Sequence, residues 1–311
     1  MFTHVLVPFD PTADGDMPLS LSCQIAVATK TTVTLICTVP GATTPSDPRC
    51  GEAETAARDL LDTIATEVPP TLEIAILPIP PDDNLANRLA TEVAARPSSL
   101  LVLAQLDGVN QSRAVGDNIV ETLLARSSDP IIIVRPEAGS AQVNGRPRSI
   151  VVPLDGTTAG SAAIEPAVQL ASVFGGELFL LRVVEPTESV SGPASTRGIA
   201  LEPELQADHF AFADARYYID EQVRWLRSRG LVVHGRAVFG ATSATILETA
   251  HRLEAGMIAL STHLIPPDQP RFAENSVAAT VARQADCPVL LMRRKESNLS
   301  PAPEAAFAER V

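Results

Sequence analysis

The chain repeats itself. Residues 4–10 read His4-Val5-Leu6-Val7-Pro8-Phe9-Asp10, and residues 149–155 read Ser149-Ile150-Val151-Val152-Pro153-Leu154-Asp155. Further on, Asp129-Pro130-Ile131-Ile132-Ile133-Val134 has its counterpart in Cys287-Pro288-Val289-Leu290-Leu291-Met292. Each pair marks the first and last apolar run of a half of roughly 140 residues, and a repeat of that length implies two copies of one unit. The copies can then be compared with each other position by position.

The apolar runs within each half are short and rich in Val, Ile and Leu, and they alternate with longer amphipathic stretches. The first half predicts strands at 4–9, 32–39, 72–77, 100–103 and 131–135, and helices at 17–30, 51–67, from Pro80-Pro81-Asp82-Asp83 onward, and at 118–126. The second half predicts strands at 149–154, 177–184, 231–239, 257–261 and 289–293. Its helices are predicted at 159–173, 203–229, 243–254 and 275–285. Alternation of this kind gives right-handed crossovers and a parallel sheet covered on both faces. The expected architecture is α/β: two tandem, doubly wound, five-stranded parallel-sheet domains over 1–136 and 148–295. Residues 136–147 are turn formers without periodicity, so 137–147 reads as a linker and 296–311 as a disordered tail.

Composition agrees. Hydrophobic residues make up 45% of the chain but aromatic residues only 4%, the filling of a helix-covered parallel sheet. The formal charge of −13 argues against nucleic acid and anionic membrane as partners, which need clustered cations. Residues 1–147 hold 18 Asp/Glu and 9 Lys/Arg, and the remainder hold 19 and 15, so the halves carry −9 and −4. Met1 leads almost at once into a strand-like run with no basic region, and the apolar stretch 167–184 is interrupted by Glu177 and Arg182. Cys23, Cys37, Cys50 and Cys287 have neither metal-ligand nor CxxC spacing and read as reduced, packed thiols. The expected compartment is the cytoplasm.

Each half resembles a universal stress protein domain, and the whole chain looks like a tandem of two over about 290 of its 311 residues. The resemblance rests on two marks. One is the opening strand that ends Val152-Pro153-Leu154-Asp155-Gly156-Thr157, with Val7-Pro8-Phe9-Asp10-Pro11-Thr12 as its weaker copy. The other is the helix-to-strand passage Arg283-Gln284-Ala285-Asp286-Cys287-Pro288-Val289-Leu290, echoed by Ser128-Asp129-Pro130-Ile131. The fold it implies is that of the universal stress proteins and related adenine nucleotide alpha hydrolases.

Members of that family that bind ATP carry Gly-x2-Gly-x9-Gly-(Ser/Thr) between the fourth strand and fourth helix. Glycines there let backbone N–H groups approach the phosphates at a helix N-terminus. In the first half the spacing survives but the residues are Ala104, Asp107, Asp117 and Asn118. In the second, Ser261-Thr262-His263-Leu264-Ile265-Pro266-Pro267 leads to a helix near Asn275-Ser276, and the prolines have no N–H to offer an anion. Asp155 and Val183 align with positions that contact ribose and adenine in the family. The resemblance therefore implies a candidate nucleotide site of Asp155, Gly156, Thr157, Val183, Asn275 and Ser276. It also implies a degenerate site of Asp10, Ala104, Asp107, Asp117 and Asn118.

Each residue also has a plainer role. Asp10 and Asp155 can satisfy backbone N–H groups at a strand end, and Asp117 can serve as a helix N-cap. His209, His234, His251 and His263 share no ligand spacing, so no metal site is expected. Phe210, Tyr217, Tyr218 and Trp225 form a stripe on the longest helix, read as packed in the core or a domain interface, or else as a partner surface. The functional expectation is a non-catalytic stress-response regulator or binding module without a resident cofactor, acting through an unidentified protein partner. The alternative is an ATP-binding, weakly ATP-hydrolysing protein that holds ATP or another adenine nucleotide in the second half. A structural scaffold is a third reading. The two last strands, 131–135 and 289–293, are expected to pair antiparallel, making one chain an intramolecular pseudo-dimer with room for a further homodimer.

Overall fold

A computed structural model describes residues 2–9, 17–64, 71–80, 83–104, 113–127, 129–135, 147–158, 160–186, 202–262 and 276–293. The strands are β1 (His4–Phe9), β2 (Thr32–Pro40), β3 (Leu72–Ile79), β4 (Ser99–Ala104) and β5 (Ile131–Val134). They continue with β6 (Ser149–Pro153), β7 (Glu177–Val184), β8 (Val233–Phe239), β9 (Met257–Thr262) and β10 (Val289–Arg293). The helices are α1 (Met17–Thr29), α2 (Pro48–Ile64), α3 (Leu85–Ala94), α4 (Arg113–Arg126), α5 (Ile164–Phe174), α6 (Glu202–Ser228), α7 (Thr242–Arg252) and α8 (Val277–Gln284). A 3-10 turn, Gly160–Ala163, leads into α5.

The strands form one sheet in the order β3-β2-β1-β4-β5-β10-β9-β6-β7-β8. Pairing is parallel everywhere except between β5 and β10, where Ile131, Ile132 and Ile133 face Leu291, Leu290 and Val289 antiparallel. The sheet is therefore continuous rather than divided in two. Because the direction reverses at that seam, the C-terminal strand ends of the first five strands lie on one rim and those of the last five on the opposite rim.

Side-chain alternation along each strand builds two cores. Val5, Val7, Leu100, Val102, Ile132, Leu290, Val152 and Leu180 face one way, under α1, α2, α5 and α6. Leu6, Leu101, Ile133, Val289, Val151 and Leu181 face the other way, under α3, α4, α7 and α8. Strands buried on both faces need no polar alternation, which is why they read as unbroken Val/Ile/Leu runs. The seam has a polar clasp as well. Arg293 at the end of β10 donates to the carbonyl oxygens of Leu124 and Ala125 in the last turn of α4, placing a cation where a helix needs one.

Helix starts depart from expectation at several points. α2 begins at Pro48, not residue 51, because Asp47 Oδ1 accepts from the Arg49 N–H at 3.0 Å and Pro48 suits the first helical position. α3 begins at Leu85, capped by Asn84, whose side chain accepts from the Ala86 N–H at 2.7 Å; the Pro80–Asp83 run lies outside it. α4 begins at Arg113, so Asp117 is inside the helix and is not its N-cap. The aromatic stripe is also corrected. Phe210 and Tyr217 are 69% and 63% exposed and Trp225 is 49% exposed, and only Tyr218 packs against the core. Among the described residues, α6 packs on β7 and β8 at the end of the sheet, and its outer stripe faces away from them. No helix among the described residues is long and apolar enough to cross a membrane.

Candidate functional site

Asp155, Gly156 and Thr157 of the predicted nucleotide site lie where β6 ends, at the rim where open parallel sheets bind ligands. Beyond β6 the chain turns sharply at Asp155-Gly156-Thr157, with Gly156 at φ +82°, a conformation that favours glycine. Asp155 Oδ1 accepts from both the Thr157 N–H at 2.8 Å and the Thr157 hydroxyl at 2.7 Å. The Thr157 oxygen in turn accepts from the Gly160 N–H at 2.9 Å, which fixes the start of the 3-10 turn. Glycine at 160 leaves room for the Asp155 carboxylate: a Cβ there would lie 2.6 Å from its Cγ and displace it.

Three further residues complete it, of which Ser261 heads the signature loop read from the sequence. Ser261, near the end of β9, accepts from the Ala163 N–H at 2.9 Å and donates to the Gly160 carbonyl at 2.8 Å, tying the turn to the strand beside it. Arg182 of β7 donates from Nη1 to the Leu154 carbonyl at 3.3 Å, and its guanidinium lies against Gly156. Its Nε is buried with no hydrogen-bond partner. Tyr218 of α6 closes the group: burial pushes its phenol up, the Asp155 charge adds to that, and Arg182 opposes it. Arg182 was visible in the sequence only as a charge interrupting an apolar run. Ser261 stood at the head of the signature loop, three residues before Leu264, with no sign that it would tie the turn to β9.

The other predicted residues do not all join this group. Ser276 is the N-cap of α8, its Oγ accepting from the Ala279 N–H at 3.0 Å. Val183, opposite Val238 in the strand register, is half-buried and packs against the core on the side of α7. Asn275 and His263 lie outside the described residues. In the first half, Ala104 ends β4 beside Val134, while Asp10 and Asp107 fall outside the described residues. Asp117 and Asn118 sit past the first turn of α4, where the helix's own donors are already paired, so they do not stand at a helix start as the signature requires.

The arrangement is better suited to holding a loop than to chemistry. Asp155 Oδ1 and Ser276 Oγ, the hydrogen-bonding atoms kept from the signature, are each engaged by their own backbone. Among the described residues no cluster of His, Cys, Asp or Glu could hold a metal ion. All four cysteines are free thiols. Burial pushes Cys37 up to about 12, with Glu54 adding, and Cys287 up to about 12, with Asp286 adding, so neither is poised as a nucleophile.

Residues 147–293 match the sequence model of the Universal stress protein family. A universal stress protein of Methanocaldococcus jannaschii is 24% identical over 147 residues, which span 47% of this chain and 82% of that protein. A universal stress protein from Archaeoglobus fulgidus of known structure aligns over 94% of this chain and 99% of its own, with a TM-score of 0.66 and 15% identity. A putative universal stress protein from Pseudomonas aeruginosa aligns over 94% of this chain and 93% of its own, with a TM-score of 0.57 and 17% identity. The fold of the whole chain is thus the α/β fold of these structures, with a mostly parallel central sheet.

Proposed function

We propose that the chain is a tandem universal stress protein, with units at 1–136 and 148–295, that acts as a stress-response regulator or binding module and not as a catalyst. The observation that carries this reading is the engagement of Asp155 and Ser276 by their own loops. It stands alongside the family match over 147–293 and the replacement of signature glycines by Ala104 and Asp107 in one half and by Leu264 in the other. A partner protein then reads the assembled surface, and the cytoplasm is its setting. The antiparallel β5–β10 seam supports a further part of the proposal, that one chain forms within itself the pair that two single-domain chains would form.

The alternative is supported by the survival of Asp155, Gly156, Thr157 and Ser276 at one rim: the second half binds an adenine nucleotide and hydrolyses it weakly. One experiment separates the two. Full-length protein is denatured and its supernatant analysed for adenine nucleotide, and fresh protein is titrated calorimetrically with ATP. The proposal expects no stoichiometric nucleotide and no saturable heat up to millimolar ATP. Saturable binding that Asp155→Ala abolishes and Asp10→Ala leaves intact would replace it with the alternative.

A further inference from the structure

One cavity bounded by the described residues shares no residue with the rim site. It holds about 350 Å³ and lies on the face of β7 and β8 under the end of α7. Its origin is topological. β8 is the last strand of the sheet, and α7 lies mainly over β7 and β6, so the face of β8 on that side is only partly roofed. On the opposite face α6 closes tightly, because Gly235 has no Cβ to meet the Ile219 and Val223 methyl groups. Phe179, Val238 and Leu253 give the cavity apolar walls. Its volume falls in the range of small-molecule sites.

Its polar lining is Thr249, His234 and three arginines, in a chain whose formal charge is −13. Arg227 comes from α6, His234 and Arg236 from β8, and Arg252 from α7. Arg227 reaches round the open edge of β8, where its Nε donates to the Val233 carbonyl at 2.9 Å and holds the guanidinium in place. Arg236 has no hydrogen bond or ion pair among the described residues. The neighbouring carboxylates are Glu177, 3.5 Å from His234, and Glu248, 4.0 Å from Arg252. Strand register places Glu73 and Ala75 of β3 at the positions of His234 and Arg236. Counting back equally from Leu100 and Met257 places Ala95 at the position of Arg252. His234, Arg236 and Arg252 therefore have no basic counterpart at these positions of the first half. Charges on an end strand guard it against pairing with another chain. That role accounts for His234 and Arg236 but not for two helix arginines converging on the same space.

We propose that this cavity binds a small doubly charged oxyanion, the phosphoryl group of a phosphate monoester or a dicarboxylate, through the guanidinium groups of Arg227, Arg236 and Arg252. Guanidinium forks match the paired oxygens of either group, and several converging on one cavity favour a dianion over chloride. The test uses the full chain at constant ionic strength, with inorganic phosphate and succinate as separate probes in calorimetry and thermal unfolding. At least one should bind saturably and raise Tm above the sodium chloride control. Binding of phosphate alone marks a phosphoryl ligand, of succinate alone a dicarboxylate, and of both a site for dianions in general.

The double variant Arg236→Ala/Arg252→Ala gives these two positions the side chains the first half already carries, so it should keep its fold. It should weaken binding tenfold or more, and Arg236→Lys, which keeps the charge but not the fork, should weaken it less. Asp155→Ala should leave this binding unchanged, which keeps the result separate from the fate of the nucleotide reading. If neither probe exceeds the chloride control, or if binding survives the double substitution, the cavity is not an anion site.

Discussion

Gly160→Ala isolates the contact on which the rim turn depends. The new Cβ would overlap the Asp155 carboxylate, 2.6 Å from Cγ and 3.1 Å from Oδ2, so the carboxylate must swing away. In doing so it gives up the 2.8 Å and 2.7 Å hydrogen bonds from Thr157. Hydrogen bonds to a charged group contribute about 1.5–3 kcal/mol each when shielded. Asp155 is exposed, and solvent screening reduces the pair to about 1–1.5 kcal/mol together. Gly160 is not at positive φ, so on the backbone term alone alanine would stabilise by about 0.4–1 kcal/mol.

The two effects predict a change of sign. Gly160→Ala should destabilise the protein by a few tenths of a kcal/mol up to about 1 kcal/mol when Asp155 is present, and stabilise it when Asp155 is already alanine. Urea unfolding of the four-member cycle measures this as a shift in midpoint, with a coupling of about 1 kcal/mol or more. Amide exchange at Thr157 should rise in both single variants and rise no further in the double. If Gly160→Ala has the same effect in both backgrounds to within about 0.3 kcal/mol, the carboxylate does not hold the turn.

Two further outcomes follow from the side chains already described. α7 has alanine at its N-cap position, and Glu185 from beyond β7 serves instead, accepting from the Thr242 hydroxyl at 2.6 Å and the Thr242 N–H at 3.1 Å. These bonds hold the Glu185 carboxyl below its usual range, so its contribution is present above that range and is lost as pH falls through the lowered value. The Thr242 amide protection factor, with the intrinsic pH dependence of exchange divided out, should fall on acidification in the native sequence and be low and flat with pH in Glu185→Ala; identical profiles would remove the cap. With Cys37 and Cys287 near 12, about one thiol in ten thousand is ionised at pH 8. An aromatic disulfide reagent should therefore leave both unmodified until the protein is unfolded, and rapid labelling of Cys287 in the native state would contradict its burial.

The strands were the most legible part of the fold, because a strand buried on both faces carries its signal in every residue, as Ile131–Val134 does. Helix starts were harder to read because several capping signals compete within a few residues. Asp47-Pro48 was as plain a start as any, yet the periodic stripe suggested a later one, and Asn84 outcompeted the prolines and acids just before it. The outward aromatics of α6 were misread for a different reason: amphipathicity reveals a stripe but not whether a neighbour exists to cover it. At the rim, Asp155-Gly156-Thr157 was readable as a motif, but its closure by Ser261 and Arg182 was not. Those residues arrive from strands 27 and more positions away in sequence, and only the sheet order brings them together.

The β5–β10 seam has a consequence for how the molecule responds to dilution. The β5–β10 ladder, the Arg293 clasp and the packing of α1 on α5 would form, between separate chains, an interface whose occupancy followed protein concentration. Here both strands belong to one polypeptide, so the encounter is intramolecular and proceeds at an effective concentration set by the connecting chain, on the order of millimolar for short tethers. Between proteins such an interface would come apart on dilution. Within one chain the seam remains closed at any abundance, so changes in expression level alter how many joined sheets exist but not whether they are joined.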